Sequence, residues 1–292
     1  MIEALSRLAR GPLLLRSDAP GIAQGLVWAE EMASRVVSGN LDAPRTAEAM
    51  RHARDSGWKP YDLADGIALI PVRGLILPEL GWIGSSYATG CAEIRWQIAE
   101  ALSDPEVKGI ALVIDSGGGL VAGVDETAAA IRAAREAKRI ATVVEYWCFS
   151  AAYWIGSAAQ TVAAPRTGGI GHVGVFKTHF DFSKLLDREG IKPTLIYSGA
   201  RKVDGNPYEP LGDEARAAMQ AAVDAMRRVF AESVAAGRGL PVDAILGTEA
   251  RVFEGPAAIE EAREAGLIDA ILPADEALAA FAAGLTSPQT ET

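Results

Sequence analysis

The stretch from Gly109 to Gln160 restricts the fold more than any other part of the sequence. Two short apolar runs, GIALVID (109–115) and RIATVVEYW (139–147), are each followed by a longer segment that is typical of a helix. Short apolar runs that alternate with helices indicate a parallel sheet that is buried on both faces. The sequence therefore predicts an α/β domain with a mainly parallel sheet and flanking helices.

Other segments extend this alternation in both directions. Helices are predicted at 22–37, 47–54, 86–102, 121–137, 150–160 and 213–236. Further strands are predicted at 172–177 and 193–198, and residues 67–77 are predicted to form two short strands around a turn. A last strand and a last helix are predicted within 266–285. We divide the chain into a helical N-terminal extension (1–62), a main domain (63–275), and the end of a C-terminal helix with a polar tail (276–292).

Composition excludes several classes of protein. The formal net charge is −10 and no basic run occurs, so we do not expect a surface that binds nucleic acids by attracting their phosphates. Two cysteines and three histidines give neither a disulfide framework nor a zinc spacing. We therefore predict no metal and no cofactor.

The sequence also lacks the long apolar runs of a membrane protein. No segment reaches the roughly 18–20 apolar residues of a transmembrane helix. Near the N-terminus the longest apolar run is the three leucines Leu13–Leu15, whereas a secretory signal needs about 7–15 apolar residues. We expect no membrane anchor and a cytoplasmic location.

The glycine-rich stretch IALVIDSGGGLVAG (110–123) allows two interpretations. Gly117, Gly119 and Ala122 satisfy the G-x-G-x-x-A pattern of dinucleotide-binding proteins, and Glu145 could contact a ribose. However, Glu145 follows Gly117 by 28 positions, beyond the usual spacing of about 20. The alternative is a tight strand-to-helix turn whose N–H groups can face an anion of any kind.

Ser150 stands where a predicted strand meets a predicted apolar helix. A serine at that position often caps the helix through its hydroxyl. It can also be a nucleophile beside the amide of Ala151, which could stabilise a developing oxyanion. The chain contains neither a G-x-S-x-G elbow nor a Walker A sequence, which disfavours an α/β-hydrolase and a P-loop protein.

Lys202 lies in a polar loop between a predicted strand and the long helix. Such a lysine is usually a solvated charge. It can act as a base only if it reaches a hydroxyl while desolvated, because base chemistry needs the free amine.

Taken in order, four motifs resemble one known family. They are D-S-G-G-G (115–119), F-S-A-A-Y-W-I (149–155), G-G-I-G-H-V-G-V (168–175) and S-G-A-R-K-V-D-G-N-P-Y-E-P-L (198–211). Together with GRGLP (237–241) and AREAGLIDAI (262–271), the set resembles the signal peptide peptidase A / protease IV family of serine proteases. The resemblance implies a ClpP/crotonase-like fold for the main domain, residues 63–275.

The same resemblance assigns chemical roles to individual residues. It implies that Ser150 is the nucleophile and Lys202 the general base of a Ser–Lys dyad. It further implies an oxyanion hole made of the backbone amides of Gly118, Gly119 and Ala151.

Within the family, the chain resembles the capsid-assembly (head maturation) proteases of bacteriophages, with which it shares an N-terminal extension and the motif G-N-P-x-x-P-L. This implies polypeptide substrates from a phage capsid, portal or scaffold, and a location in the host cytoplasm or the procapsid. Family members with two copies of the fold place the catalytic residues on neighbouring fold units. For a chain with one copy, the resemblance implies a cyclic homo-oligomer with Lys202 acting on a neighbouring subunit.

Two positions depart from the family pattern. Gly117 replaces the usual proline of the D-S-P-G-G turn, and His172 replaces the serine of G-S-I-G-V. His172 follows Ser150 by 22 residues, in the region where ClpP-type enzymes bring in a catalytic histidine. His172 is therefore an alternative base, although no acid that would orient its ring can be identified.

Three other functions stay open at the level of sequence. One is a housekeeping protease like the signal-peptide peptidases. A second is a crotonase-like acyl-CoA enzyme, which would share the paired-amide oxyanion hole but would not need a serine and a lysine here. The third is a catalytically inactive capsid component.

Overall fold

The computed structural model describes Leu13–Leu15 and residues 56–81 and 83–286, with Leu13–Leu15 and Thr286 described as backbone alone. The helices predicted at 22–37 and 47–54 lie outside these residues, as does most of the polar tail. The strands within the described ranges are β1 (Leu13–Leu15), β2 (Asp62–Ala64), β3 (Ile67–Leu77), β4 (Ala88–Gly90), β5 (Gly109–Leu120), β6 (Arg139–Phe149), β7 (Thr161–Ala164), β8 (Gly169–Gly171), β9 (Val252–Glu254) and β10 (Ala270–Ile271). The helices there are α1 (Cys91–Ser103), α2 (Val124–Ala134), α3 (Ala151–Gly156), α4 (Ser183–Arg188), α5 (Asp213–Arg238), α6 (Val242–Leu246), α7 (Pro256–Glu264) and α8 (Ala274–Thr286).

All the strands belong to one sheet whose main path is β10-β7-β6-β5-β3-β2. Every pairing along this path is parallel except that of the edge strand β2 with β3. Off the path, β4 pairs with β3 and β8 with β6 in parallel, whereas β9 pairs with β8 and β1 with β5 in antiparallel fashion. The predicted α/β class with a mainly parallel sheet and flanking helices is confirmed.

Helices cover both faces of the sheet. On one face, α1, α2, α3 and the C-terminal part of α5 pack on the large core. On the other face, Phe281 of α8 packs on Ile67, Ala111 and Ala141 of the central strands. Because both faces are buried, β5 and β6 are almost continuously apolar, as expected for central parallel strands.

A pair of stacked aromatic rings joins α3 to α5. The rings of Trp154 and Phe230 lie 4.4 Å apart between centroids, with an angle of 7° between their planes, and both side chains are fully buried. The residues of α5 from Phe230 to Ala235 are mostly buried, whereas the preceding turns are largely exposed. The stack therefore fixes α3, and with it the strand-to-helix junction at Ser150, against the C-terminal part of α5.

The glycines after Asp115 lie in a strand, which contradicts the dinucleotide-binding interpretation; the strand-to-helix turn predicted within 110–123 lies later than these glycines, at 121–123. β5 continues to Leu120, and Gly118 and Gly119 pair with Leu75 and Ile76 of β3. A Cβ on Gly119 would lie 2.0 Å from the carbonyl oxygen of Ile76. Glycine is needed here because two backbones approach closely, and not because the chain reverses.

The two strands predicted around a turn within 67–77 form the single strand β3. Its register against β5 shifts between Arg73 and Leu75. Gly74 lies at this irregularity with a φ of 65°, and a Cβ there would lie 2.1 Å from the carbonyl oxygen of Tyr87. The glycine that suggested a turn therefore marks a bulge.

Two predicted strands are absent from the described chain. The strand expected at 172–177 is replaced by β8, which ends at Gly171; the φ values of 95° at Gly171 and 61° at His172 do not continue a strand. Residues 193–198 form no strand either, and Ile196 is 97% exposed.

The predicted helices at 86–102, 121–137 and 150–160 are shorter than expected, and the long helix at 213–236 is confirmed as α5.

We expect Phe230→Ala to destabilise the protein strongly. The substitution removes a buried ring from the α3–α5 stack, which typically lowers the free energy of unfolding by about 3–5 kcal/mol. The neighbouring Val229 is 39% exposed, and Val229→Ala, the matched control, should change stability by no more than about 0.5 kcal/mol. Urea unfolding of both variants measures the difference, and equal losses would contradict the packing described for α5.

Candidate functional site

Ser150 lies at the junction between the end of β6 and the start of α3, on a strained backbone. Its φ is 56° and its ψ is −121°. A non-glycine residue rarely adopts such angles, which cost free energy and persist only where the surroundings impose them. Strain of this kind tends to occur at functional sites.

The backbone of Ser150 is held on both sides. Its N–H donates to the carbonyl of Gly171 in β8 at 2.8 Å, and its carbonyl accepts the N–H of Trp154 at 2.9 Å. These bonds fix the peptide groups before and after the side chain. The direction of the Cα–Cβ bond of Ser150 is therefore set by the fold.

The hydroxyl of Ser150 has no partner within the described part of the chain. Ser150 is fully buried, its Oγ makes no hydrogen bond there, and it does not cap α3. The capping hypothesis is therefore wrong. A buried hydroxyl without a partner costs about 1–3 kcal/mol, so the fold keeps this serine at the expense of stability.

The glycine strand beside Ser150 is fixed by a second serine. The N–H of Gly118 donates to Ser116 Oγ at 3.1 Å, and Ser116 Oγ donates to the carbonyl of Gly74 at 2.6 Å. Gly118 has a φ of 108°, which favours glycine. Of the three predicted oxyanion donors, the Gly118 amide is thus engaged by Ser116 in this conformation.

His172 lies close to Ser150 along the backbone hydrogen bonds. It directly follows Gly171, whose carbonyl accepts the Ser150 N–H. The N–H of His172 donates to the carbonyl of Arg251 at 3.0 Å, and the residue is half-buried. The imidazole is not hydrogen-bonded to the Ser150 hydroxyl, which has no partner in the described ranges.

Lys202 makes no hydrogen bond to Ser150 within one chain. It belongs to an exposed turn in which its N–H donates to the carbonyl of Gly199 at 3.0 Å. Ser150 Oγ is buried and makes no hydrogen bond to any described residue. A single chain in this conformation therefore does not form the Ser150–Lys202 hydrogen bond of a dyad.

Charged groups near the end of the β5–β6 ladder interact with each other. Arg73 contacts Glu145 at 2.8 Å, so the carboxylate suggested as a ribose ligand belongs to an ion pair. Burial raises the pKa of Asp115, although the N–H of Trp147 and the charge of Arg73 oppose that shift. Burial also raises the pKa of the Cys148 thiol, which stays protonated and packs in the core beside Ser150.

The described residues contain no group of three or more histidine, cysteine or acidic side chains that could hold a metal ion. None of the helices in that part of the chain is both long and apolar enough to cross a membrane.

Sequence reasoning missed two residues that shape the site. Gly171 accepts the Ser150 N–H through its carbonyl, and Ser116 links the glycine strand to Gly74. The motifs G-G-I-G and D-S-G-G-G contained both residues, but the sequence spacing gave no sign that either would contact the backbone at this junction.

Ser150→Ala is expected to leave stability unchanged or to raise it by about 1–2 kcal/mol, because it removes a buried hydroxyl that lacks a partner. Ser157→Ala is the matched control: Ser157 is also fully buried, but its Oγ donates to the carbonyl of Trp154 at 3.0 Å. The control should lose about 1 kcal/mol. Urea unfolding compares the two, and an equal loss in both would show that the Ser150 hydroxyl has a partner after all.

Comparisons with known proteins show the family of this chain. The model of peptidase family S49 matches residues 132–286, which include Ser150 and Lys202. The chain is 39% identical to the head-tail preconnector protein GP5 of Enterobacteria phage P21 over 85% of this chain and 49% of that protein. It is 36% identical to the capsid assembly protease C of Escherichia phage lambda over 85% of this chain and 54% of that protein.

More distant proteins extend the comparison. Protease 4 of Salmonella typhi is 27% identical over 75% of this chain and 35% of that protein. A solved structure of a ClpP1 mutant from Listeria monocytogenes has a TM-score of 0.43 and 16% identity over 72% of this chain and 94% of that chain. The chain spans about half the length of the two phage proteins. Since the family model covers more than half of its residues, the chain belongs to peptidase family S49.

Proposed function

We propose that the chain is a serine endopeptidase that cleaves capsid, portal or scaffold polypeptides of a phage or prophage, in the host cytoplasm or the procapsid. The observation that carries the proposal is the hydroxyl of Ser150, which is buried, has no partner among the described residues and stands on a strained backbone. The similarity to a phage protein named capsid assembly protease supports the choice of substrates.

In this mechanism Ser150 attacks a peptide carbonyl of the substrate. A general base takes the hydroxyl proton as the Oγ–carbon bond forms, and the proton then passes to the leaving amine. Water hydrolyses the acyl-enzyme and restores the free serine. Because Ser150 Oγ makes no hydrogen bond in the described chain, nothing there competes with the incoming base.

We assign the general base to Lys202 of a neighbouring copy. Ser150 is fully buried and Lys202 is exposed, so one chain cannot form the dyad without rearrangement. In a cyclic homo-oligomer the loop that carries Lys202 can reach the next subunit. Its burial at such an interface would favour the neutral amine, which is the form that accepts a proton.

The segment that leads to Lys202 has the character of an interface. Ile191, Leu195, Ile196 and Tyr197 are among its exposed large apolar side chains, and Ile196 is 97% exposed. Apolar patches of this kind mark interaction sites. The sequence PTLIYS (193–198) has the pattern of a strand but forms none in the single chain, so a neighbouring copy would supply the missing strand partner.

The developing oxyanion would be stabilised by backbone amides of Gly118, Gly119 and Ala151. As the first residue of α3, Ala151 has an N–H without an acceptor within the helix. The Gly118 N–H would have to exchange Ser116 Oγ for the substrate oxygen. Amides positioned by a rigid strand and a buried helix cost little reorganisation during the reaction.

The first test of this proposal is hydrolysis by Ser150→Ala. With casein as an unstructured substrate, its activity should fall by a factor on the order of 10⁴–10⁶, because the nucleophile is lost. Ser157→Ala, which removes another buried serine hydroxyl from the same part of the core, should keep most of the activity. A Ser150→Ala variant that retains cleavage would refute the nucleophile assignment.

Mixed oligomers test whether Lys202 acts between subunits. Lys202→Ala alone should be inactive, and equal mixing with Ser150→Ala should restore about a quarter of wild-type activity if subunits exchange at random in a ring. Ser150→Ala mixed with the double variant Ser150→Ala/Lys202→Ala is the matched control and should stay inactive. His172→Ala should keep most of the activity.

Two results would contradict this arrangement. Loss of activity in His172→Ala together with full activity in Lys202→Ala would assign the base to the histidine. Absence of rescue in mixtures whose subunit exchange has been demonstrated by native mass spectrometry would place both residues in one subunit.

A further inference from the structure

The second edge of β5 beyond Ser116 is occupied by the N-terminal part of the chain. β5 has two edges, and β3 pairs with one of them up to Gly119. On the other edge, the ladder with β6 ends at the pair Ser116–Cys148. From there β1 takes over in antiparallel orientation, with Leu13 opposite Leu120, Leu14 opposite Gly119 and Leu15 opposite Gly118.

This position adjoins the end of the β5–β6 ladder, as the nucleophile does. Gly118 follows Ser116 by two residues, and Ser150 follows Cys148 by two residues, so both lie just past the end of the β5–β6 ladder. Leu15 is the residue that pairs with Gly118. The backbone of β1 therefore passes the end of β6 at the place where the chain turns into α3.

We propose that Leu13–Leu15 occupies the peptide-binding edge of this protein and must leave before a polypeptide substrate can bind. The inference rests on the proposed function for the identity of the site. An extended segment that adds a strand to an open sheet edge is a common mode of peptide recognition, in which backbone hydrogen bonds supply the affinity. The occupant is here a segment of the same polypeptide.

The burial of Ser150 supports this arrangement. The residue has no exposed surface, and its Oγ is inaccessible. A substrate carbonyl cannot reach such a hydroxyl until something moves. The strand β1 pairs with Gly118–Leu120 just past the end of the β5–β6 ladder, so its departure would open this edge of β5.

The tether makes β1 an effective competitor. Forty residues, 16–55, connect Leu15 to the described part of the main domain. Because β1 belongs to the same chain as the edge that it occupies, its binding is intramolecular and does not depend on protein concentration, whereas the binding of a substrate depends on substrate concentration. A substrate must therefore displace β1, and the segment lowers the apparent affinity for substrates without changing the chemical step.

Hydrogen exchange measured in the full-length Ser150→Ala protein tests this inference independently of catalysis. Successive N–H groups of a strand point to opposite edges, so one of Leu14→Pro and Leu15→Pro must remove a ladder hydrogen bond. We expect amides within 117–121 to exchange at least about tenfold faster in at least one of the two variants. Leu8→Pro, at a leucine outside β1, is the matched control and should leave this exchange unchanged.

Two further measurements complete the test. Addition of a synthetic peptide with the sequence of residues 11–17, GPLLLRS, should restore slow exchange in the released variant. With Ser150 intact, that variant should cleave casein with a lower KM and an unchanged kcat.

The outcomes separate the two proposals. Unchanged exchange of residues 117–121 in both proline variants would overturn the occupancy of the edge by β1, whatever the activity. Absence of cleavage by every variant, together with faster exchange, would refute the proposed peptidase function and leave the occupancy of the edge standing.

Discussion

The parallel ladder between β5 and β6 positions every backbone group of the candidate site. It is regular from Gly109 to Ile114, shifts register, and ends at the pair of Ser116 with Cys148. Because it ends there, β6 can turn into α3 at Ser150 while β5 continues for four more residues as a glycine strand. The nucleophile candidate and the glycine amides thus come from adjacent strands that separate at one point.

Two residues around this point have strained backbone conformations, and one buried hydroxyl has no hydrogen-bond partner among the described residues. Ser150 and His172 both have positive φ values, and the Ser150 hydroxyl is buried without a partner in the described chain. Such features cost stability and survive where surrounding packing imposes them. Here the packing comes from the Trp154–Phe230 stack and from the hydrogen bond between Ser150 and Gly171, which together hold the junction from both sides.

The central strands of the sheet could be predicted from the sequence because a strand buried on both faces leaves a continuous apolar run in the local sequence. Strands buried on both faces must be apolar throughout, and GIALVID and RIATVVEYW satisfy that requirement. The glycines after Asp115 misled the prediction, since glycine permits a turn and a close approach of two backbones equally well. The run at 193–198 misled it because a strand also needs a partner, and the described part of the chain supplies none there.

For the site, the position of Ser150 followed from local sequence, whereas its partners depended on long-range register. The exposed serine cap and the buried nucleophile share one sequence pattern, and only the absence of a capping bond and the burial of the hydroxyl distinguish them. Lys202 came from family resemblance alone, because no spacing rule connects a loop to a residue 52 positions earlier. The pairing of Leu13–Leu15 with the glycine strand had no sequence signal beyond a run of three leucines.

If the two proposals hold together, a single isolated chain lacks a working site for two separate reasons. Its nucleophile is buried near an edge that its own N-terminal strand occupies, and its base is exposed on a loop and not hydrogen-bonded to that nucleophile. Displacement of β1 frees the edge, and contact with a neighbouring copy supplies the lysine. Neither event alone completes the dyad with bound substrate. Peptide-bond cleavage would then depend on assembly and on release of the strand, which suits the proposed substrates because these are components of one particle.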